Sequence, residues 1–112
     1  MSMVLREELS EGIVAITLNR PESLNALSPA LFSELNQIVT ELSKQTDSVG
    51  CVILRGAGRC FSAGNDLKAV RSGVKAKEKF FQAKTIDLIE KLPQPTIASV
   101  HGHCLTGALE LA

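Results

Sequence analysis

Residues 51–67 read CVILRGAGRCFSAGNDL, and this stretch decides the fold class. It begins with a short continuous apolar run, Cys51 to Leu54, which is typical of a strand buried on both faces in a parallel sheet. A loop with three glycines follows at Gly56 to Asp66, and a short helical piece begins at Leu67. This order of strand, glycine-bearing loop and helix start indicates an α/β protein.

The same order occurs again near the other end of the sequence. Residues 96–100 predict a second buried strand, His101 to Thr106 a second loop, and residues 107–112 the start of a helix. In parallel α/β arrangements, ligands bind beyond the carboxyl ends of strands, where loop N–H groups point outward. Two such loops can converge on one ligand, and Gly64 and Gly107 would let ligand atoms approach the backbone closely.

The remaining segments supply the other elements of the fold. Val4 to Leu9 and Ile13 to Leu18 predict a β-hairpin across a tight turn. Ser28 is a predicted N-cap, and the helix that it starts continues to about Ser43 with apolar residues at three- and four-residue intervals. A second long helix is predicted from about Lys75 to Leu92, where prolines end it.

Composition excludes several classes of partner. At 112 residues the chain is long enough for one domain and too short for two. Lys plus Arg and Asp plus Glu both number 12, so the net charge of zero provides no positive field for nucleic acid or an anionic membrane. Met1 to Glu8 carries charges where a signal peptide needs its apolar region, and no apolar run approaches membrane-spanning length. We therefore expect a cytoplasmic protein with neither a nucleic-acid nor a membrane partner.

The cysteine pattern predicts reduced thiols and no metal site. Cys51, Cys60 and Cys104 are odd in number and lie far apart without a Cys-x-x-Cys pair. Cys51 is expected to be a buried small hydrophobe, and Cys60 has no neighbouring base that would make it a nucleophile. His101 and His103 beside Cys104 supply at most part of a tetrahedral zinc site.

Four motifs carry a resemblance that spans nearly the whole chain: Asn19-Arg20-Pro21-Glu22, Leu24-Asn25-Ala26-Leu27, Phe61-Ser62-Ala63-Gly64-Asn65-Asp66-Leu67, and Gly102 through Ala112. In order and spacing they resemble motifs of the crotonase superfamily, the enoyl-CoA hydratase/isomerase family. The resemblance implies an α/β fold that is a spiral of ββα turns, with residues 1–112 as the N-terminal part of a single domain. We expect the chain to be truncated, because the helix at its end stops in less than two turns.

The resemblance also implies a site for acyl-CoA thioesters. Carried over by position, the backbone N–H groups of Asn65 and Gly107 would form an oxyanion hole for the thioester oxygen, and Glu110 would activate water. The implied substrate-binding residues are Leu24, Ala26, Ala63, Gly64, Asn65, Asp66 and Leu67. A second catalytic glutamate would lie beyond Ala112.

The reaction expected from this resemblance is reversible hydration of a trans-2-enoyl-CoA, with isomerisation of a 3-enoyl-CoA as the alternative. No cofactor is expected beyond the coenzyme A that belongs to the substrate. The full-length protein is expected to be a homo-oligomer, a trimer or a hexamer.

Other interpretations of the same residues stay open. Residues 63–66 are turn formers and could form a simple turn, and Glu110 could be a solvent-exposed residue favoured by the helix dipole. Phe80 and Phe81 would be core or lid residues. A non-catalytic acyl-CoA-binding or interaction protein could retain the same loops. A nucleotide-binding domain is disfavoured, because the chain lacks a P-loop lysine and the Gly-x-Gly-x-x-Gly spacing.

Overall fold

A computed structural model describes residues 2–65, 76–105 and 107–112, with the backbone alone for residues 76–79, 107 and 109. The elements in chain order are β1 (Val4–Ser10), β2 (Ile13–Leu18), a 3-10 helix (Pro21–Ser23), α1 (Pro29–Leu42), β3 (Cys51–Gly56), α2 (Ala76–Glu90), β4 (Thr96–Ser99) and α3 (Gly107–Leu111). They form the mixed α/β fold that the sequence predicts. The short helical piece expected from Leu67 lies outside the described residues.

One four-stranded sheet of order β1-β2-β3-β4 organises the fold. β1 and β2 pair antiparallel across a turn in which Gly12 has a φ of +80°, a conformation that glycine adopts without steric cost. β2 pairs parallel with β3, and β3 pairs parallel with β4, with Ile16 opposite Leu54 and Leu54 opposite Ala98. The predicted hairpin and the predicted parallel sheet are both confirmed.

Helix α1 supplies the cover for one face of this sheet. Its start is capped as predicted, because the hydroxyl of Ser28 accepts a hydrogen bond of 3.2 Å from Leu31 N and Pro29 occupies the first turn. Its buried residues form one core cluster with alternate residues of β2 and β3. The helix contributes Leu31, Phe32, Leu35, Val39 and Leu42, and the strands contribute Val14, Ile16, Leu18, Val52 and Leu54.

Two expectations are wrong for the described structure: that β3 is buried on both faces, and that β4 is buried. In β3, Val52 and Leu54 are buried, whereas Cys51 and Ile53 are only partly covered. All four residues of β4 are exposed, and Ile97 keeps 54% of its surface. The reason is position: in the part of the chain that the structure describes, β4 is the edge strand and the core under α1 lies over β2 and β3.

Helix α2 packs against α1, and the amide of Asn36 donates a 3.0 Å hydrogen bond to the hydroxyl of Thr85 between them. Phe81 is partly buried against the core, whereas Phe80 is 72% exposed, so Phe80 does not take the first of its two predicted positions, core or lid. Among the described residues, no helix has the length and apolar character needed to cross a membrane.

Candidate functional site

Leu24 and Asn25 hold a strained piece of backbone before α1. Their φ angles are 53° and 54°, the left-handed region that residues other than glycine rarely occupy. Asn25 is fully buried, and its side chain uses three hydrogen bonds: Oδ1 accepts from Arg20 N at 2.8 Å, and Nδ2 donates to Ala57 O at 2.8 Å and Cys60 O at 2.9 Å. These bonds offset the strain and tie this segment to the loop after β3.

The loop that carries Asn65 is held by hydrogen bonds to the same segment before α1. The hydroxyl of Ser62 donates to Asn25 O at 2.7 Å and accepts from Gly64 N at 3.1 Å, while Gly64 O accepts from Leu27 N at 2.8 Å. Gly64 O and the N–H of Asn65 belong to one planar trans peptide unit, so they point in opposite directions. The bond from Leu27 therefore directs the N–H of Asn65 away from the Leu24–Leu27 segment.

The loop after β4 runs beside this first loop. Phe61 N donates to His101 O at 2.7 Å, and Ser62 N donates to His103 O at 3.0 Å. Ser62 and Cys104 are partners in a parallel bridge. The two glycine-bearing loops predicted from the sequence are thus brought together side by side.

Asn65 and Gly107 occupy equivalent places in the two loops. Each lies three residues beyond the bridging pair of Ser62 and Cys104. Asn65 is exposed, and Gly107 is the first residue of α3. Neither N–H donates a hydrogen bond to any group in residues 2–65, 76–105 and 107–112. Within the described residues, the two N–H groups therefore have no acceptor.

Other predicted binding residues already use their backbone groups inside the chain. Leu24 O accepts from Ala63 N at 2.9 Å, and Ala26 O accepts from the guanidinium of Arg20 at 2.8 Å. Leu24 O also accepts from Cys60 Sγ at 3.5 Å, so both of its lone pairs are used inside the chain. The role of Leu24 and Ala26 in binding stays a prediction. Two more predicted binding residues lie outside the described residues: Asp66 and Leu67.

Glu110 is exposed on α3 and contributes to an open cavity of about 390 Å³. The cavity is lined by Ile86, Ile89, Glu90, Thr96, Glu110, Leu111 and Ala112. Because Thr96 is the first residue of β4, the cavity extends toward the start of that strand. The approach of Glu110 to the carbonyl-binding loops stays a prediction.

The cysteines and histidines take structural places in the described residues. All three cysteines are free thiols, and the buried Cys60 donates to Leu24 O at 3.5 Å. A ring nitrogen of His101 lies 2.8 Å from Gly58 O, which joins the two loops once more. No group of three or more His, Cys, Asp or Glu able to hold a metal occurs in the portion of the chain that the structure describes.

Sequence reasoning identified the two loops but not the side chains that hold them. The sequence analysis named Asn25 within a motif but assigned it no role, although asparagine is one of the few residues that tolerate the left-handed region. That tolerance, beside two predicted loops, was the signal available for Asn25. Ser62 carried no such signal, because its partners become neighbours only in the fold.

Comparison with known proteins shows which family the chain resembles. The enoyl-CoA hydratase/isomerase family matches residues 8–112. YngF of Bacillus subtilis (strain 168), provisionally named an enoyl-CoA hydratase/isomerase, is 40% identical over 110 residues, which cover 92% of this chain and 41% of YngF. The mitochondrial Delta(3,5)-Delta(2,4)-dienoyl-CoA isomerase of Rattus norvegicus is 33% identical over an alignment of 113 positions, which covers 88% of this chain and 34% of that protein.

The fold matches solved structures of the same kind. The crystal structure of enoyl-CoA hydratase from Bacillus anthracis superposes with a TM-score of 0.89 at 36% identity, covering 97% of this chain and 43% of that one. The chain therefore spans less than half the length of the proteins that it resembles.

Proposed function

The chain belongs to the enoyl-CoA hydratase/isomerase family of the crotonase superfamily, and we propose that the intact protein polarises the thioester carbonyl of an acyl-CoA with the N–H groups of Asn65 and Gly107. The observation that carries this proposal is the bridge between Ser62 and Cys104, which puts the two N–H groups in adjacent loops. Polarisation places negative charge on the thioester oxygen in an enolate-like intermediate. One fixed donor at such an oxygen can contribute about 3 to 4 kcal/mol to stabilising the transition state.

The proposed reaction is the reversible hydration of a trans-2-enoyl-CoA. Glu110 takes a proton from water as its oxygen bonds to the β-carbon, and the electron pair of the double bond moves toward the thioester oxygen. The enolate then collapses, and the α-carbon receives a proton from a second acid. We propose that this acid is a second glutamate outside residues 1–112, as the family resemblance implies. Neither step calls for a metal or a redox cofactor.

Isomerisation of a 3-enoyl-CoA is the second candidate, because the similar rat protein is named a dienoyl-CoA isomerase. In that reaction a base removes a proton from the α-carbon, and the resulting dienolate accepts a proton at the γ-carbon. The same two N–H donors would stabilise the dienolate oxygen. The two candidates therefore share the oxyanion hole and differ in whether water is added.

The test measures the products that the intact protein forms from crotonyl-CoA and, in a separate assay, from trans-3-hexenoyl-CoA. Formation of 3-hydroxybutanoyl-CoA from crotonyl-CoA is the expected result. A shift of the double bond in hexenoyl-CoA without hydration of crotonyl-CoA would keep the oxyanion hole and replace the hydratase with an isomerase. Binding without either reaction would indicate a non-catalytic acyl-CoA-binding protein. Absence of acyl-CoA binding, measured by calorimetric titration, would overturn the proposal.

A further inference from the structure

The hydroxyl of Ser62 is buried at the junction of three segments. It donates to Asn25 O at 2.7 Å and accepts from Gly64 N at 3.1 Å, and Ser62 itself has no exposed surface. Its backbone bonds to the second loop, because Ser62 is the bridge partner of Cys104. A hydroxyl is one of the few small groups that can donate and accept at once. Removing it would leave a buried carbonyl and a buried N–H without a partner.

Gly64 is the residue through which this hydroxyl acts on the loop. Its φ of 100° lies where most residues are strained, and glycine has a wide range of accessible conformations there. The structure fixes Gly64 at both ends: Ser62 Oγ holds its N–H, and Leu27 N holds its carbonyl oxygen. Without the hydroxyl, the first of these two constraints is lost.

We propose that Ser62 is a positioning residue that directs the N–H of Asn65 at the substrate carbonyl, an inference that rests on the proposed function. The carbonyl of Gly64 and the N–H of Asn65 share one peptide plane, so rotation of that plane turns the donor away from the thioester oxygen. Stabilisation by a fixed donor depends on its distance and direction when charge develops. Ser62 therefore acts on turnover without touching substrate.

The experiment compares the intact protein with its Ser62→Ala variant and with Thr85→Val as a matched control. Thr85 is also fully buried, and its hydroxyl also donates, to Phe81 O at 2.9 Å, and accepts, from Asn36. Both of these partners belong to helices, Asn36 to α1 and Phe81 to α2, and not to the two loops. Both variants lose a buried hydroxyl that donates one hydrogen bond and accepts another, but only Ser62→Ala loses it beside the proposed N–H donor of Asn65.

Two readouts separate positioning from stability. Ser62→Ala is expected to lower kcat on crotonyl-CoA by about 10²-fold, the scale of a displaced catalytic group, with little change in KM. The infrared C=O stretch of bound butanoyl-CoA, labelled with carbon-13 at the thioester carbonyl, reports polarisation directly. It should lie below its solution frequency in the wild type and move back toward it in Ser62→Ala. Thr85→Val should keep the wild-type kcat and frequency.

Each outcome has a defined meaning. A Ser62→Ala protein with wild-type kcat and carbonyl frequency, or a Thr85→Val protein with equal losses, would overturn the positioning role. A wild type without any frequency shift would overturn the oxyanion hole and this inference with it. If Ser62→Ala does not fold, Ser62→Cys retains a weaker donor and acceptor of similar shape. Its kcat should then be lower than that of the wild type, and its carbonyl stretching frequency should be higher. Unchanged values would overturn the proposal.

Discussion

Gly102 packs so closely against Cys60 that a Cβ atom on Gly102 would lie 2.9 Å from Cys60 Cβ and 2.5 Å from Arg59 O. Its φ is also +61°, in the left-handed region. Gly102→Ala is therefore expected to lower the free energy of unfolding by about 2 kcal/mol or more, through steric clash and backbone strain together. Urea denaturation of the intact protein would measure the change.

Gly50→Ala is the matched control for this substitution. A Cβ atom at Gly50 would meet only Gly12 O, at an ordinary 3.8 Å, and its φ lies outside the left-handed region. Its free energy of unfolding should change by less than about 1 kcal/mol. Equal effects at the two glycines would show that the close contact with Cys60 does not limit the fold.

Asn25→Ala should be among the more destabilising substitutions near the site. It removes the side-chain partners of Arg20 N, Ala57 O and Cys60 O, and it leaves a less tolerant residue at a φ of 54°. The expected loss is about 3 kcal/mol or more, since the bond to Cys60 O is buried, the other two bonds are part-buried, and an unpaired buried group costs about 1 to 3 kcal/mol. Asn36→Ala, which removes a part-buried bond to Thr85, should cost about 1 kcal/mol in the same urea titration. Similar losses in both variants would contradict the conclusion that the Asn25 side chain holds its own segment to the loop after β3.

Gly107→Val tests whether the second loop meets the substrate. A β-branched side chain beside the N–H of Gly107 would occupy the space that a thioester oxygen needs, so acyl-CoA binding and turnover should both be abolished. The fold should stay largely intact, as circular dichroism would show. Ala30→Val, at an exposed position in the first turn of α1, is the control and should bind normally in calorimetric titration. Unchanged affinity in Gly107→Val would place the second loop outside the site.

Glu110→Gln tests the proposed base. The amide keeps the shape of the side chain but cannot take a proton, so kcat on crotonyl-CoA should fall by about 10²-fold or more, with acyl-CoA affinity little changed. Rates should be read at saturating substrate. Glu41→Gln, an exposed position on α1, should leave kcat unchanged. A wild-type rate in Glu110→Gln would make Glu110 a surface residue and favour isomerisation or binding without catalysis.

Local signals were sufficient for most of the elements. The turn at Gly12, the cap at Ser28 and the apolar run at Cys51–Leu54 each depend on neighbouring residues, and the structure confirms the hairpin, α1 and β3. The burial of β4 could not be predicted in the same way. An apolar run shows that a strand can be covered, but the cover comes from elements far away in the sequence.

The candidate site also combines features that local sequence predicts with features that it does not. The positions of Asn65 and Gly107 follow from two strand-loop-helix patterns, each contained in a short stretch. The bonds that hold the first loop join Ser62 to Asn25, 37 residues apart, and no local pattern encodes such a pair. The oxyanion role, the acyl-CoA substrate, the homo-oligomer and the cytoplasmic location stay predictions.

The long sequence separation between Asn25 and Ser62 also affects when the contacts of this region form during folding. Each parallel pairing must close a loop of about forty residues before its first hydrogen bond forms, and this entropy cost makes such contacts late and cooperative. The amide hydrogens of Leu27 and Gly64 should then exchange with deuterated solvent only when the whole chain opens. The N–H of Asn65, a few ångströms along the same loop and exposed, should exchange quickly in the folded state. Bound acyl-CoA should slow exchange at the amides of Asn65 and Gly107 while leaving Leu27 as protected as before.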